Sequence, residues 1–435
     1  MSERYDAIII GAGVIGNAIA FELAKLGWRT LSLDKGPDAG SGSTSSSSAI
    51  IRTYYSVEAS CALAYEGWHY WRDWAAHVNL PEGVPLIRYN ETGCLVVKGP
   101  ANKDLVHVMR MMDHIGCPYE EVPTERIADY LPGVDLRAYY PPKRPEEDGF
   151  CEPTGGEIAG AVFFPQGGFV NDPKLAAENL RQAAEAQGAR FLFRAAVAEI
   201  RQEDDRVAGV TLADGRQIDA PVVINAGGPW SSKLNELAGV TRGMKISTRA
   251  NRQEVAYIPG PRNFDFGTNG YIYSDGDTET YARPDSPGIM CIGSGDPQCD
   301  PREWVDDPDS LRQDFTDQWT VNVMRTAQRF PELPIPGQAR GIVALYDVSD
   351  DWLPIYDRSD LPGFYMACGT SGNQFKNAPV AGKIMAHIVT SCEAGHDHDA
   401  DPLQFNLARI DRVIDLGTYS RKREVNPNSS FSVIG

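Results

Sequence analysis

The sequence predicts an α/β fold with two domains, one built on a parallel sheet and the other on a mainly antiparallel sheet. Three observations lead to this prediction. The chain has 435 residues, which exceeds the usual size of a single domain. It begins with a strand, a glycine turn, a helix and a second strand, whereas strand patterns dominate from Lys245 to about Gly341. A βα unit and a separate run of strands are typical of two different layer architectures.

The N-terminal motif defines the first elements. An apolar run from Ala7 to Ile10 leads into Gly11-Ala12-Gly13-Val14-Ile15-Gly16, and the helix and strand that follow end at Asp34. In such a turn the first glycine permits a tight bend, the second allows a pyrophosphate to approach, and the third allows the helix to pack on the strand. The helix N-terminus offers N–H groups to phosphates, and Asp34, followed by Lys35, is placed to accept ribose hydroxyls. The motif therefore predicts a dinucleotide-binding site.

The composition excludes several classes of function. With a net charge of -18, the chain is not expected to bind nucleic acid or anionic membranes, because both require clustered Lys and Arg. The eight cysteines show no C-x-x-C pair, which argues against a zinc site or a disulfide framework. His396-Asp397-His398 has no third ligand nearby in sequence, so we predict a solvated loop and no metal. The sequence shows no signal peptide or membrane span, and a cytoplasmic enzyme is expected.

A serine-rich loop over residues 40–48 follows the second strand. Its composition would also suit a flexible linker. It leads directly into Ile50-Ile51-Arg52, an apolar segment with one embedded cation, and then to Tyr55. We favour a loop that lines a cofactor, with Ser43, Thr44 and Ser48 as contacts, while the linker stays open as an alternative.

The rest of the chain alternates between the two domains. Periodicity predicts helices over 57–77 and 102–114, and from Pro173 to about Gly188 after the N-cap Asp172. Strands are predicted over 86–97, 191–200, 207–212, 217–222, 222–224, 254–258, 270–273, 280–283 and 289–293. The predicted first domain comprises residues 1–85, 152–240 and 341–435, and the second comprises 86–151 and 241–340.

A second glycine-containing turn follows the strand at 222–224. It reads Asn225-Ala226-Gly227-Gly228-Pro229-Trp230. Ligands of open α/β sheets bind at the carboxyl ends of the strands, so Ala226, Gly227 and Trp230 are expected to approach the cofactor. A plain turn between a strand and a helix is an equally common interpretation of such a stretch in isolation.

The order of these features resembles the flavoprotein family that includes D-amino acid oxidase, glycine oxidase and monomeric sarcosine oxidase, and is most similar to the sarcosine oxidase branch. The resemblance also rests on the late loop Gly369-Thr370-Ser371-Gly372-Asn373-Gln374-Phe375-Lys376. It implies a two-domain flavoprotein, with a Rossmann-like FAD-binding domain in discontinuous segments and a substrate domain whose mainly antiparallel sheet covers the flavin. Val197, Gly372, Asn373 and Gln374 are then expected beside FAD.

The resemblance also implies the substrate end of the site. Arg52 and Lys376 match the two cations that hold the substrate carboxylate in sarcosine oxidases, Tyr281 matches a pocket tyrosine, and Tyr55 is expected in the same catalytic group. From the residues alone, each cation could equally form a structural ion pair. Burying a cation in so acidic a chain nevertheless favours an anionic partner.

Arg283 is expected on the same strand face as Tyr281, because alternate residues of a strand point to the same side. A third cation in the pocket would indicate a substrate with a second anionic group, such as iminodiacetate. The alternative, which the residues favour slightly, is an ion pair with Asp285 or Asp275.

Departures from the family modify these expectations. Ala344 stands where sarcosine oxidases attach FAD through cysteine, and the loop over residues 43–48 has no histidine, so FAD is expected to be noncovalent. Cys291 occupies the region of the lysine that promotes reaction with oxygen in relatives, which puts rapid use of oxygen in doubt. Asn171 argues against a second flavin.

These features predict an enzyme that oxidises a secondary amino acid, such as sarcosine or iminodiacetate, by hydride transfer to flavin N5. Its partners would be a small carboxylated amine and either oxygen or an electron-transfer acceptor. No general base is required if the amine binds in its neutral form. Two alternatives remain: an NAD-dependent dehydrogenase, since Asp34 would suit an NAD ribose equally well, and a noncatalytic flavoprotein subunit of an electron-transfer complex.

Overall fold

The computed structural model describes residues 4–433 and confirms the predicted fold class. The first three and the last two residues of the predicted first-domain ranges lie outside the described residues. In the part of the chain that is described, no helix is both long and apolar enough to cross a membrane.

The first domain is built on a parallel sheet. Among the described residues it has six strands, in the order Ile355–Arg358, Phe364–Cys368, Val223–Asn225, Ala7–Ile10, Thr30–Leu33 and Arg190–Leu192. Neighbouring strands pair in parallel except the first two. The central strand Ala7–Ile10 is buried throughout, because helices cover both faces of such a sheet. Helix Val14–Lys25 packs against Pro173–Ala186 and Ala378–Glu393.

The second domain is built on an antiparallel sheet. Within residues 4–433 its strands are Glu303–Val305, Thr248–Pro259, Ile289–Ser294, Thr280–Pro284, Ile272–Asp275, Cys94–Val97, Ala161–Phe164 and Glu120–Val122 in spatial order, with Gly341–Ser349 also paired to Thr248–Pro259. One neighbouring pair, Ile272–Asp275 with Cys94–Val97, is parallel. Helix Asp317–Arg329 contacts Thr248–Pro259.

The sheet pairing differs from the predicted domain ranges at two strands. Ala161–Phe164 pairs with Cys94–Val97, and Gly341–Ser349 pairs along Thr248–Pro259. Both strands therefore belong to the antiparallel sheet, although the predicted ranges put them in the first domain. Strand periodicity identifies a strand but not its partner, which here lies far away in sequence.

Smaller elements complete the fold. The remaining strands form small sheets: Val197–Glu203, Arg206–Leu212 and Gln217–Asp219; Ile50–Ile51, Gly168–Val170 and Tyr89–Asn90; Gln404–Leu407 and Arg412–Asp415. The other α-helices are Glu58–Arg72, Trp74–Val78, Val106–Ile115, Ile127–Tyr130, Ser231–Leu237 and Phe266–Asn269. Short 3-10 helices are Pro100–Leu105, Thr124–Arg126, Gly228–Trp230, Thr241–Gly243, Pro308–Ser310, Phe375–Asn377 and Leu416–Tyr419.

Several predicted elements are interrupted. The helix predicted over 57–77 is broken at Asp73, and the strand predicted over 191–200 divides into Arg190–Leu192 and Val197–Glu203. The helix predicted over 102–114 begins only at Val106, because the three residues before it have positive φ. The helix predicted from Pro173 is confirmed, with Asp172 accepting a hydrogen bond from the Leu175 N–H at 2.9 Å.

The solvated loop predicted at residues 396–398 is wrong at His398. Its side chain is buried, its Nδ1 accepts a hydrogen bond from the Leu403 N–H at 3.0 Å, and its Nε2 lies 3.6 Å from an Asp357 carboxylate oxygen. Burial lowers the pKa of His398. Among the described residues, no group of three or more His, Cys, Asp and Glu side chains could hold a metal ion.

Candidate active site

A large cavity of about 1750 Å³ lies between the carboxyl edge of the parallel sheet and the antiparallel sheet. Gly11, Asp34 and Ala226, which follow three neighbouring parallel strands, line one side of it. Tyr281 and Tyr346 of the antiparallel sheet line the other side. This is the place where open α/β sheets bind their ligands.

Two glycines allow close backbone contact where the cavity meets the parallel sheet. Gly11 has a φ of +109°, and a Cβ at this position would lie 2.3 Å from the Ala226 carbonyl oxygen. A Cβ on Gly16 would lie 1.9 Å from the Gly11 carbonyl oxygen. No larger residue fits at either position, and the resulting turn leaves the N-terminus of helix Val14–Lys25 facing the cavity. This arrangement suits the phosphates of a dinucleotide.

Asp34 braces the glycine turn from the next strand. One carboxylate oxygen accepts a hydrogen bond from the Ala12 N–H at 2.7 Å, and the other accepts one from the Gly36 N–H at 2.7 Å. An ionised carboxylate offers about four acceptor positions. Asp34, which lines the cavity, therefore retains acceptor capacity for ribose hydroxyls.

The serine-rich loop packs over the helix and lines the cavity through Ser43, Thr44 and Ser48. Thr44 Oγ1 accepts a hydrogen bond from the Val14 N–H at 3.1 Å, and Ser43 Oγ donates one to the Leu345 carbonyl at 2.8 Å. These bonds attach the loop to both domains. The geometry favours a loop that lines a cofactor over a flexible linker.

Two buried cations, Arg52 and Lys376, also line the cavity. Arg52 is 7% exposed and Lys376 is 4% exposed. Arg52 donates hydrogen bonds to the carbonyls of Tyr54 and, at 2.6 Å, Val433, and Lys376 Nζ donates one to the Asn373 carbonyl at 2.8 Å. Within residues 4–433, neither cation has a carboxylate partner within 4.0 Å. Within the described part of the chain, Arg52 and Lys376 therefore do not form the structural ion pairs that the sequence left open.

Tyr55 lies behind these cations and does not line the cavity. The centre of its ring is 4.3 Å from the Arg52 guanidinium carbon and 5.2 Å from Lys376 Nζ. Its phenol oxygen accepts a hydrogen bond from Lys376 at 3.1 Å and donates one to the Asn373 carbonyl. Burial, together with the nearby charge of Arg52, lowers the pKa of Lys376 well below its ordinary value.

Tyr281 forms part of the wall supplied by the antiparallel sheet. Its phenol oxygen lies 3.4 Å from Ser48 Oγ, which is also 3.8 Å from the Cys291 thiol. Cys291 is fully buried, and burial raises the pKa of its thiol. The thiol is therefore neutral at neutral pH, next to the loop that lines the cavity.

Arg283 does not line the cavity. Its Nη2 lies 2.9 Å from an Asp285 carboxylate oxygen, and its guanidinium carbon lies 4.9 Å from the centre of the Phe169 ring. Strand alternation puts Arg283 on the same face as Tyr281, but Phe169 covers this face at Arg283. Arg283 thus forms the ion pair with Asp285 that was the alternative to a contact with substrate.

The remaining predicted cofactor residues are distributed around the cavity. Those that line it are Gly13, Val14, Ile15, Lys35, Val197, Gly227, Trp230, Gly372, Asn373 and Gln374. Gly16 does not line it and acts through its contact with Gly11. Lys35 forms an ion pair with Asp309, and its ammonium lies 3.9 Å from the centre of the Trp230 ring.

Tyr346 and Arg302 are among the residues of the cavity wall that sequence reasoning missed. Tyr346 packs against Gly372, where a Cβ would lie 2.4 Å from the tyrosine ring. Alternation from Ala344 could have identified Tyr346, because residues two apart on a strand share a face. No local pattern marks Arg302, whose guanidinium carbon lies 5.0 Å from the centre of the Trp352 ring.

Known proteins are similar to this chain along most of its length. The family model described as FAD dependent oxidoreductase (DAO) matches residues 6–388. The glycine oxidase of Geobacillus kaustophilus is 25% identical over 419 residues, covering 91% of this chain and 96% of that protein. Sarcosine oxidase subunit beta of Arthrobacter sp is 24% identical over 402 residues, covering 90% of this chain and 88% of that protein. The structure of L-proline dehydrogenase from P. horikoshii superposes with a TM-score of 0.73 at 21% identity, over 90% of this chain and 95% of that chain, and shows a shared fold.

Proposed function

Because the chain belongs to the DAO family of FAD-dependent oxidoreductases, we propose that it oxidises the C–N bond of a secondary, N-substituted amino acid. FAD is the cofactor of this family, and the NAD-dependent alternative is therefore set aside. Relatives named glycine oxidase and sarcosine oxidase subunit beta support an amino acid substrate. The particular amine is a proposal from the site.

The proposal rests mainly on two buried cations that have no carboxylate partner among the described residues. Arg52 and Lys376 both line the cavity and are almost fully buried, and within the described residues all their hydrogen bonds go to neutral oxygen acceptors. Burying a charge without a counterion is strongly unfavourable. A substrate carboxylate would supply the missing negative charge.

The cavity fits FAD at its parallel-sheet end. Gly11 and Gly16 permit the tight turn that presents the helix N-terminus to the cavity, Asp34 has acceptors for the ribose, and Ser43 and Thr44 line the same space. Bound FAD would supply the oxidation by taking the hydride from the carbon beside the substrate nitrogen, and water would hydrolyse the iminium ion that is left.

The chain's own residues bind and orient the substrate. Arg52 and Lys376 hold the carboxylate, and Tyr55 fixes both cations from behind. Such positioning can lower a barrier by several kcal/mol. A cationic pocket also favours the neutral form of the amine, so its nitrogen lone pair is available and no side chain has to remove a proton.

The environment of Cys291 indicates which electron acceptor reoxidises the flavin. A neutral thiol beside Ser48 offers no positive charge to stabilise developing superoxide. We therefore favour an enzyme that passes its electrons to an acceptor other than oxygen.

Anaerobic mixing with a panel of amines tests the proposed function. Purified holoenzyme is combined with N-methyl amino acids, primary amino acids and simple secondary amines that lack a carboxylate, and the flavin absorbance is followed. We expect bleaching by the N-methyl amino acids. Bleaching by simple amines alone, or by no amine, would contradict the proposal.

A further inference from the structure

The segment over residues 426–433 runs along the cavity wall, and two of its carbonyls accept hydrogen bonds from arginines that line the cavity. Arg52 Nη2 donates a hydrogen bond of 2.6 Å to the Val433 carbonyl, and Arg302 Nη2 donates one of 2.6 Å to the Phe431 carbonyl. Both arginines line the cavity, as do residues 427–433. The two acceptors are two residues apart, so they are separated by at most about 7 Å of chain.

The two ends of this segment are held differently. Three residues before its start, Arg423 forms a two-pronged ion pair with Asp351 at 2.7 and 2.9 Å, and within the segment Ser429 Oγ donates to the Asp351 carbonyl at 2.6 Å. Beyond Ser429, the Ser430 N–H donates a hydrogen bond of 3.2 Å to Ser56 Oγ, and Arg302 and Arg52 donate hydrogen bonds to the neutral carbonyls of Phe431 and Val433. The first part is therefore anchored, whereas the two hydrogen bonds from arginines to the carbonyls of Phe431 and Val433 can be exchanged for others.

A carboxylate is a stronger partner for a guanidinium than a carbonyl, because both groups are charged and two parallel hydrogen bonds can form. Among residues 4–433, Arg302, like Arg52, has no carboxylate within 4.0 Å. Asp296 also lines the cavity and interacts electrostatically with Arg302 without pairing at that distance. Two arginines that hold carbonyls of one short segment therefore provide two positions that anionic oxygens could take.

We propose that Arg302 binds a second carboxylate of the substrate, which makes the substrate an N-carboxyalkyl amino acid, and that residues 431–433 withdraw from Arg52 and Arg302 when it binds. Two carboxylates joined through a C–N–C bridge fall within the span of the two carbonyls. The inference rests on the proposed function, because Arg52 must hold the first carboxylate. Arg302 therefore takes the place of Arg283, which was expected from the sequence to bind a second anionic group of the substrate but is paired with Asp285.

Catalytic efficiency on a matched pair of substrates tests Arg302. N-carboxymethylglycine and N-methylglycine share the amine and one carboxylate and differ in the second. We expect the wild type to prefer the dicarboxylate, and Arg302→Leu to lower the ratio of the two efficiencies by roughly three- to tenfold. Arg249→Leu is the matched control, because Arg249 is also exposed and lies 4.6 Å from a tryptophan ring, that of Trp304, but is outside the cavity wall; the ratio should not change.

A chain ended after Ser430 tests the withdrawal. It removes both carbonyls and keeps the anchors at Arg423 and Ser429. We expect KM to fall for both substrates, and to fall more for the dicarboxylate, because the arginines no longer exchange partners. An unchanged KM would overturn the withdrawal.

The two proposals fail in different ways. If neither of these substrates nor any other N-methyl amino acid of the panel bleaches the flavin, the proposed function fails. If N-methylglycine is oxidised but the wild type shows no preference for the dicarboxylate, or Arg302→Leu leaves the ratio unchanged, the role of Arg302 is overturned and the proposed function stands.

Discussion

The ammonium of Lys376 donates a hydrogen bond of 3.1 Å to the phenol oxygen of Tyr55. The same phenol donates to the Asn373 carbonyl, and its ring lies 4.3 Å from the Arg52 guanidinium carbon. Tyr55 thus links a cation that follows the serine-rich loop to one from the late loop, which are far apart in sequence. This contact brings the two cations to one place in the cavity.

Substrate affinity should depend on the protonation of Lys376. Its pKa is lowered by burial and by the charge of Arg52, so the ammonium is lost as the pH rises through a value below the ordinary one. The affinity for a carboxylated substrate should therefore fall over that range. Lys376→Arg should remove this dependence, because guanidinium stays charged. Dissociation constants of the wild type and of Lys376→Arg, measured against pH, test this. Deprotonation of the substrate amine affects both proteins equally. Parallel profiles would show that Lys376 is not the source of the pH dependence.

Replacing Arg52 or Lys376 with Met should weaken substrate binding and leave FAD bound. A lost charge-assisted contact costs about 1.5–3 kcal/mol, or roughly ten- to a hundredfold in affinity. Steady-state kinetics and the flavin content of each variant provide the measurement. Arg283→Met is the control, because Arg283 is equally buried but pairs with Asp285 outside the cavity wall. It should lower the melting temperature without a comparable rise in KM, and unchanged kinetics in both cavity variants would remove Arg52 and Lys376 from the site.

FAD should be released when the protein is denatured. Ala344 and the loop over residues 43–48, which line the cavity, offer neither a thiol nor an imidazole to bond the flavin. Acid precipitation should leave the yellow colour in the supernatant. Intact mass measurement of the denatured chain provides the independent check, and a mass increase equal to FAD would show a covalent bond.

Reduced enzyme should react slowly with oxygen. The Cys291 thiol is buried and neutral beside Ser48, so no cation at this position stabilises superoxide. Cys291→Lys should accelerate reoxidation by roughly tenfold or more. Cys291→Met should not, because methionine is similar in size to lysine but carries no charge. Stopped-flow mixing of reduced enzyme with oxygen measures these rates, and rapid reoxidation of the wild type would refute the prediction.

Local patterns in the sequence predicted the elements whose physics is local. The glycine turn at Gly11 and the N-cap at Asp172 depend on neighbouring residues, and the structure contains both. The cavity residues that follow the parallel strands were also predictable, because strand ends gather at one edge of such a sheet.

Contacts between distant segments could not be predicted in this way. Gly341–Ser349 pairs with Thr248–Pro259, and nothing in either strand alone specifies its partner. The face of Arg283 is covered by Phe169, which comes from a segment more than a hundred residues away. Likewise, the return of Val433 to Arg52 depends on the assembled fold rather than on any pattern near either residue.

The central claim is that the buried cations of the cavity hold the carboxylate of a secondary amine. Anaerobic rapid mixing of the holoenzyme with an N-methyl amino acid, and with the amide of the same compound, tests it most directly, because the two differ only in that charge. We predict that the acid reduces the flavin at least roughly tenfold more efficiently than the amide, and that Arg52→Met abolishes most of this difference. Equal reduction of wild-type flavin by acid and amide would contradict the account.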